Sequence, residues 1–106
     1  MVILEKLYKV IAHGTDACTI ELADANHPVF LAHFPNNPIL PGFLIVDIYA
    51  QLFKCEVFKI KKAKFISIMA PQDTISFIVQ KRVEVTKIIV ENLEKKKIAE
   101  VLVECR

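Results

Sequence analysis

Four residues in the middle of the chain have the types and spacing that acid–base chemistry needs: His33, Gly42, Asp47 and Gln51. An unperturbed imidazole titrates near pH ~6.5, so the His33 ring is partly neutral at working pH and can take a proton. Asp47 follows fourteen residues later, among Ile45, Val46 and Ile48. An apolar helix there is expected to bury the carboxyl group and, by penalising the anion, to keep it protonated and able to donate. Gly42 stands where a proline-rich loop gives way to this helix. Its backbone N–H is one of the donors that a helix N-terminus leaves unpaired, and the missing side chain leaves room for a reacting group that gains negative charge. Gln51 lies one turn beyond Asp47 on the same helix face, so its amide is expected to bond the carboxyl group and hold its rotamer. A positioned base, acid or oxyanion donor is each worth about 100-fold or more in rate, which together makes useful catalysis without a cofactor or a metal.

The elements that must position these groups are legible in outline. Pro28, Pro35, Pro38 and Pro41 fall within fourteen residues and mark a stiff loop, because proline fixes its own φ and pushes the preceding residue towards an extended shape. Nine of the eleven residues from Phe43 to Phe53 are apolar, which predicts a helix wrapped on every side by the rest of the fold. Upstream, Cys18, Ile20 and Leu22 alternate with Thr19 and Glu21, predicting a strand over 17–23. Residues 3–12 fit both a helical stripe and strand alternation; the turn residues His13-Gly14-Thr15-Asp16 favour a hairpin. Downstream, β-branched content rises over 63–69, 74–93 and 98–105, predicting strands, with turns at Pro71-Gln72-Asp73 and at 94–97. The connections are too short for parallel crossovers. An α+β fold is expected, with an antiparallel sheet curled around one long central helix, and its open edge invites dimerisation.

Composition narrows the function classes. A chain of 106 residues makes one domain, 1–106, and 54% apolar residues can fill its core. A formal charge of +2 is too weak a footprint for nucleic acid or an anionic membrane. The longest apolar window carries Asp47 and Gln51 and is far short of the ~20 residues of a membrane span. Glu5, Lys6 and Lys9 interrupt the first residues before an export signal could form. Cys18, Cys55 and Cys105 are widely spaced and odd in number, as expected of packed thiols in a reducing cytoplasm rather than of disulfides or a metal knuckle. His13 and His27 read as a turn and a loop residue, and Tyr49 as core or pocket wall. Lys54, Lys59, Lys61, Lys62 and Lys64 form a basic concentration, ordinarily a solvated face.

Residues 30–53 read FLAHFPNNPILPGFLIVDIYAQLF. The run His33-Phe34-Pro35, then Pro38-Ile39-Leu40-Pro41-Gly42, Leu44-Ile45-Val46, Asp47 and Gln51, resembles the signature of the hot-dog-fold β-hydroxyacyl-(acyl carrier protein) dehydratases. The likeness continues more loosely through Lys62-Ala63-Lys64-Phe65, Pro71-Gln72-Asp73 and Ala99-Glu100. It implies a hot-dog fold and dehydration of a 3-hydroxyacyl thioester, with His33 as base, Asp47 as acid and Gly42 as oxyanion donor. Phe34, Pro35, Ile39, Pro41 and Phe43 become substrate-binding residues, the Ile39 carbonyl orients the His33 ring, and Gln51 supports Asp47. The resemblance also implies an acyl carrier protein as partner, and a homodimer, if not a larger oligomer, in which His33 of one subunit faces Asp47 of the other. The lysines would then have a use, because rim charges speed the approach of an acidic carrier. Asn36 and Gln72 stand where the family usually has glycine. An aspartate at position 47 is usual in the branch that also isomerises a double bond. Two alternatives share the fold: an acyl thioesterase, and a catalytically weak subunit that binds acyl groups or the carrier.

Overall fold

The computed structural model describes residues 4–32 and 36–106. Strands β1 (Tyr8–His13) and β2 (Ala17–Leu22) form a hairpin, followed by a five-residue helix α1 (Pro28–Ala32) and the helix α2 (Leu44–Phe53). Four strands complete the chain: β3 (Val57–Phe65), β4 (Thr74–Lys81), β5 (Thr86–Glu91) and β6 (Lys97–Cys105). They make one six-stranded sheet of order β1-β2-β4-β5-β6-β3, antiparallel at every pairing.

Alternation produces the core. Cys18, Ile20 and Leu22 of β2, Ile75, Phe77 and Val79 of β4, Ile88 and Val90 of β5, and Ala99, Val101 and Val103 of β6 all turn to one face, as a period of two requires. Against that face α2 buries Leu44, Ile45, Ile48, Tyr49 and Leu52, the positions that a 3.6-residue period brings to one side. Each large side chain so buried stabilises the fold by ~1.5–3 kcal/mol. Asp47 and Gln51 point the other way and are exposed. The expectation of a helix wrapped on every side is therefore corrected. Two polar side chains one turn apart leave a narrow open face on the single chain, and the apolar residues on either side of Asp47 in sequence turn away from it by 100° per residue.

α2 ends where its apolar run ends. Lys54 takes a left-handed conformation at φ 50°, and the Cys55 N–H bonds back to Ala50 O at 3.0 Å, closing the helix at Phe53. β3 accordingly begins at Val57, before the expected position 63, and two irregularities in its pairing with β6 bend it. α1 occupies part of the proline-rich stretch. Pro28 opens it, where a missing N–H does no harm, and Val29 and Phe30 are buried beneath it. Gln72, in place of a glycine, has φ 67°, so the turn requires the left-handed region and a non-glycine residue adopts it.

His13 ties the hairpin to the end of α2. Its Nδ1 lies 2.8 Å from Gly14 O and its Nε2 3.0 Å from Leu52 O, and the ring meets Phe53 edge-on at 5.2 Å. Carbonyl oxygens only accept, so both bonds are made at once only by the imidazolium form. The Leu52 carbonyl first, then that of Gly14, raises the His13 pKa above its ordinary value. A raised folded-state pKa gives stability that is fully present below the unfolded value near pH ~6.5 and lost as pH rises through the folded value. In urea titrations across that range, His13→Ala should lose ground to wild type at acid pH and converge with it at alkaline pH. A gap that does not change with pH would show that the ring acts through packing alone.

Candidate active site

Of the groups singled out in sequence, Gly42 and Asp47 lie along the seam between α2 and β3. Gly42 forms the turn into α2, with the Leu44 N–H on Pro41 O at 3.1 Å and the Ile45 N–H on Gly42 O at 3.0 Å. Its own N–H has no hydrogen-bond acceptor among the described residues, consistent with a donor held in reserve at a helix start. The φ of Gly42 is not positive, so the glycine is not demanded by backbone conformation. The demand comes from Phe65, whose ring would lie 3.0 Å from a Cβ placed on Gly42. That contact sets the end of β3 against the beginning of α2.

A largely apolar recess of about 430 Å³ opens here, lined by Ile39, Gly42, Phe43, Phe65, Ile68 and their neighbours. Ile39 and Phe43, expected to bind substrate, face it; Pro41 is buried beneath and does not line it. Further along the seam a second recess of about 570 Å³ is lined by Val46, Asp47, Ala50 and the run from Cys55 to Ile60. Asp47 stands on its wall. The carboxyl group was expected to be buried; in the single chain it is exposed, with no hydrogen bond or ion pair to any described residue. Among the described residues nothing covers this group.

His33, Phe34 and Pro35 lie outside the described residues. The elements on either side of them are anchored: α1 by Val29 and Phe30, and the following loop by Leu40, 3% exposed, whose N–H bonds Met69 O at 2.7 Å.

Gln51 has a different partner from the expected one. Its Oε1 accepts a hydrogen bond from the Tyr8 hydroxyl of β1, and no bond joins it to Asp47 among the described residues. Tyr8 had no signal in the sequence beyond its fit to both readings of residues 3–12, since the contact spans 43 residues. Cys55 and Cys105, read as packing, share a cavity of about 550 Å³ with Tyr49 and His13 at the far end of α2. Burial first, then the neighbouring Cys55 thiol, pushes Cys105 up to about 11, which keeps it a protonated, unreactive thiol. No cluster of three or more His, Cys, Asp or Glu side chains that could hold a metal forms among the described residues, and no helix among them is long and apolar enough to cross a membrane.

Comparison with known proteins gives the family and the fold. Residues 11–101 match the ApeI-like family, whose family model is described as ApeI dehydratase. A 3-hydroxyacyl-[acyl-carrier-protein] dehydratase FabZ of Thermoanaerobacter sp. is 44% identical over 54 residues, covering 51% of this chain and 38% of that one. The match thus spans about two fifths of that relative's length. FabZ of Ehrlichia chaffeensis is 31% identical over 98 residues, covering 68% of each chain. Among solved structures, the dehydratase heterocomplex ApeI:P from Xenorhabdus doucetiae superposes with a TM-score of 0.70 at 20% identity, covering 93% of this chain and 98% of that one. The six-stranded antiparallel sheet with its packed helix is a hot-dog fold.

Proposed function

Because this chain belongs to the ApeI-like family of hot-dog dehydratases, we propose that it dehydrates 3-hydroxyacyl thioesters, presented on an acyl carrier protein, to trans-2-enoyl thioesters. The observation that carries this reading is Asp47. A carboxyl group stands exposed on the open face of a largely apolar helix, without a hydrogen bond or ion pair to any described residue, on the wall of one recess, while Gly42 lines a separate recess at the start of the same helix.

In the proposed reaction His33 removes the proton on the carbon next to the thioester carbonyl. Charge then develops on the thioester oxygen, and the Gly42 N–H stabilises it. Asp47, protonated, gives its proton to the 3-hydroxyl as the carbon–oxygen bond breaks. Water leaves, the double bond forms, and the proton held by His33 returns Asp47 to its starting state through solvent. No external electron acceptor is consumed.

Residues 1–106 act as one domain in this reading, and the site is completed by a second copy. β3 is an edge strand with no neighbour on its outer side among the described residues, and the exposed apolar side chains Phe58, Ile60, Phe65, Ile66 and Ile68 lie on it or just beyond. A second β3 would extend the sheet, cover these side chains and desolvate Asp47. Lys59, Lys62 and Lys64 of the same strand are exposed and supply the positive rim that an acidic carrier would meet. Three free cysteines agree with a cytoplasmic location.

A 3-hydroxyacyl thioester assay tests the reading. Enoyl absorbance should rise without release of free thiol. Thiol release without enoyl product would identify a thioesterase, and binding with neither signal a non-catalytic subunit.

A further inference from the structure

We propose that Tyr8 is a positioning residue of this site: its hydroxyl fixes which end of the Gln51 amide faces Asp47. The inference rests on the dehydratase reading above and deepens it.

A primary amide has an accepting end and a donating end. The Tyr8 hydroxyl donates to Gln51 Oε1, so the accepting end is engaged and the NH2 is the end left for other neighbours. Asp47 is such a neighbour, one helical turn earlier on the same exposed face. The orientation matters to the chemistry. Once Asp47 has given its proton to the departing hydroxyl it is a carboxylate, which only accepts, and an N–H from Gln51 stabilises it as the charge appears. A flipped amide would turn a carbonyl oxygen towards that new charge. Within α2 the side chain one turn from Gln51 is Asp47 itself, and a protonated carboxyl group can donate to the amide oxygen or accept from the NH2, so it does not select between the two orientations. The selection comes from β1. Burial first, and then the charge of a nearby Cys18, holds the Tyr8 phenol above its ordinary range, so it remains a donor throughout the working pH range.

Tyr8→Phe removes the hydroxyl and keeps the ring. With a 3-hydroxyacyl thioester it should lower kcat about tenfold, the rate equivalent of one directed hydrogen bond, with KM within about twofold of wild type. Combined with Gln51→Ala, it should be no slower than Gln51→Ala alone, because a residue that acts through another has nothing left to orient. In 15N-labelled protein the side-chain NH2 resonances of Gln51 should move in Tyr8→Phe. Additive losses in the double variant, or unmoved NH2 resonances, overturn the proposal. Gln51→Glu supplies a check that does not depend on how Tyr8→Phe folds: it keeps an acceptor for Tyr8 but turns a second oxygen towards Asp47, and a wild-type rate in that variant also overturns it. A wild-type chain that makes no enoyl product overturns the dehydratase reading itself; the NH2 resonances then decide separately whether Tyr8 holds the amide.

Discussion

Asp47→Asn should lower kcat/KM for dehydration by about 100- to 10,000-fold, the range for loss of a positioned general acid, while leaving the protein as stable as before. The two halves of this expectation have separate grounds. Asparagine is the same size as aspartate, and Asp47 is exposed with no bond to any described residue, so the folded chain loses no interaction that the structure records. Surface changes of that kind move stability by no more than ~0.5 kcal/mol. The amide, however, has no proton to give to a leaving hydroxyl at any working pH. The pH profile adds a second readout. A base that must be neutral makes activity fall on the acid side, and an acid that must be protonated makes it fall on the alkaline side. Asp47→Asn should abolish the alkaline limb and leave the acid limb, which belongs to His33. A variant with a rate within about threefold of wild type would remove Asp47 from the reaction.

How much of this could be read in advance depends on whether a signal is local. β2, β4, β5 and β6 lie inside the sheet with one face on the core, so Cys18, Ile20 and Leu22, or Ile75, Phe77 and Val79, alternate visibly with their neighbours. β1 and β3 are the two edge strands, and nearly all their residues are exposed in the single chain. A strand with no buried face shows no alternation, which is why Tyr8–His13 looked ambiguous and Val57–Lys62 passed for a basic surface run. α1 had a local signal, Pro28 followed by the buried pair Val29 and Phe30, hidden by the prolines that follow it. The positions of Gly42, Asp47 and Gln51 on and before α2 followed from helical spacing. What spacing could not give was the third dimension around them. Phe65 against Gly42, Tyr8 against Gln51, and His13 against Leu52 O join residues 23, 43 and 39 apart in sequence. Burial of Asp47 failed as an expectation for a related reason: apolar sequence neighbours on a helix point away from the residue between them, and only a second surface can cover it.

That second surface leads to a test in which activity is gained. If each site takes His33 from one subunit and Asp47 from the other, His33→Ala and Asp47→Asn are each inactive alone, yet a mixture refolded together recovers about one quarter of wild-type activity per chain, from random pairing into symmetric dimers. Half the dimers in an equal mixture are mixed. In each mixed dimer one site collects both substitutions and the other collects neither, so half of its sites work. If instead both groups came from one subunit, every site in every dimer would carry one substitution, and mixing would recover nothing. The structure makes exchange between copies a reasonable route, because among the described residues the outer edge of β3 is unpaired and Phe58, 48% exposed, and Ile60, 51% exposed, are left half open to solvent. The outcome also separates a self-sufficient enzyme from a subunit that needs a different partner. The lysines of β3 repel across a pair of like edges, so weak pairing at low salt that strengthens as salt screens them is expected of the homodimer. Recovery near one quarter at moderate salt would place both halves of the acid–base pair on two copies of this chain; wild type that is active while the mixture stays inactive would return them to one.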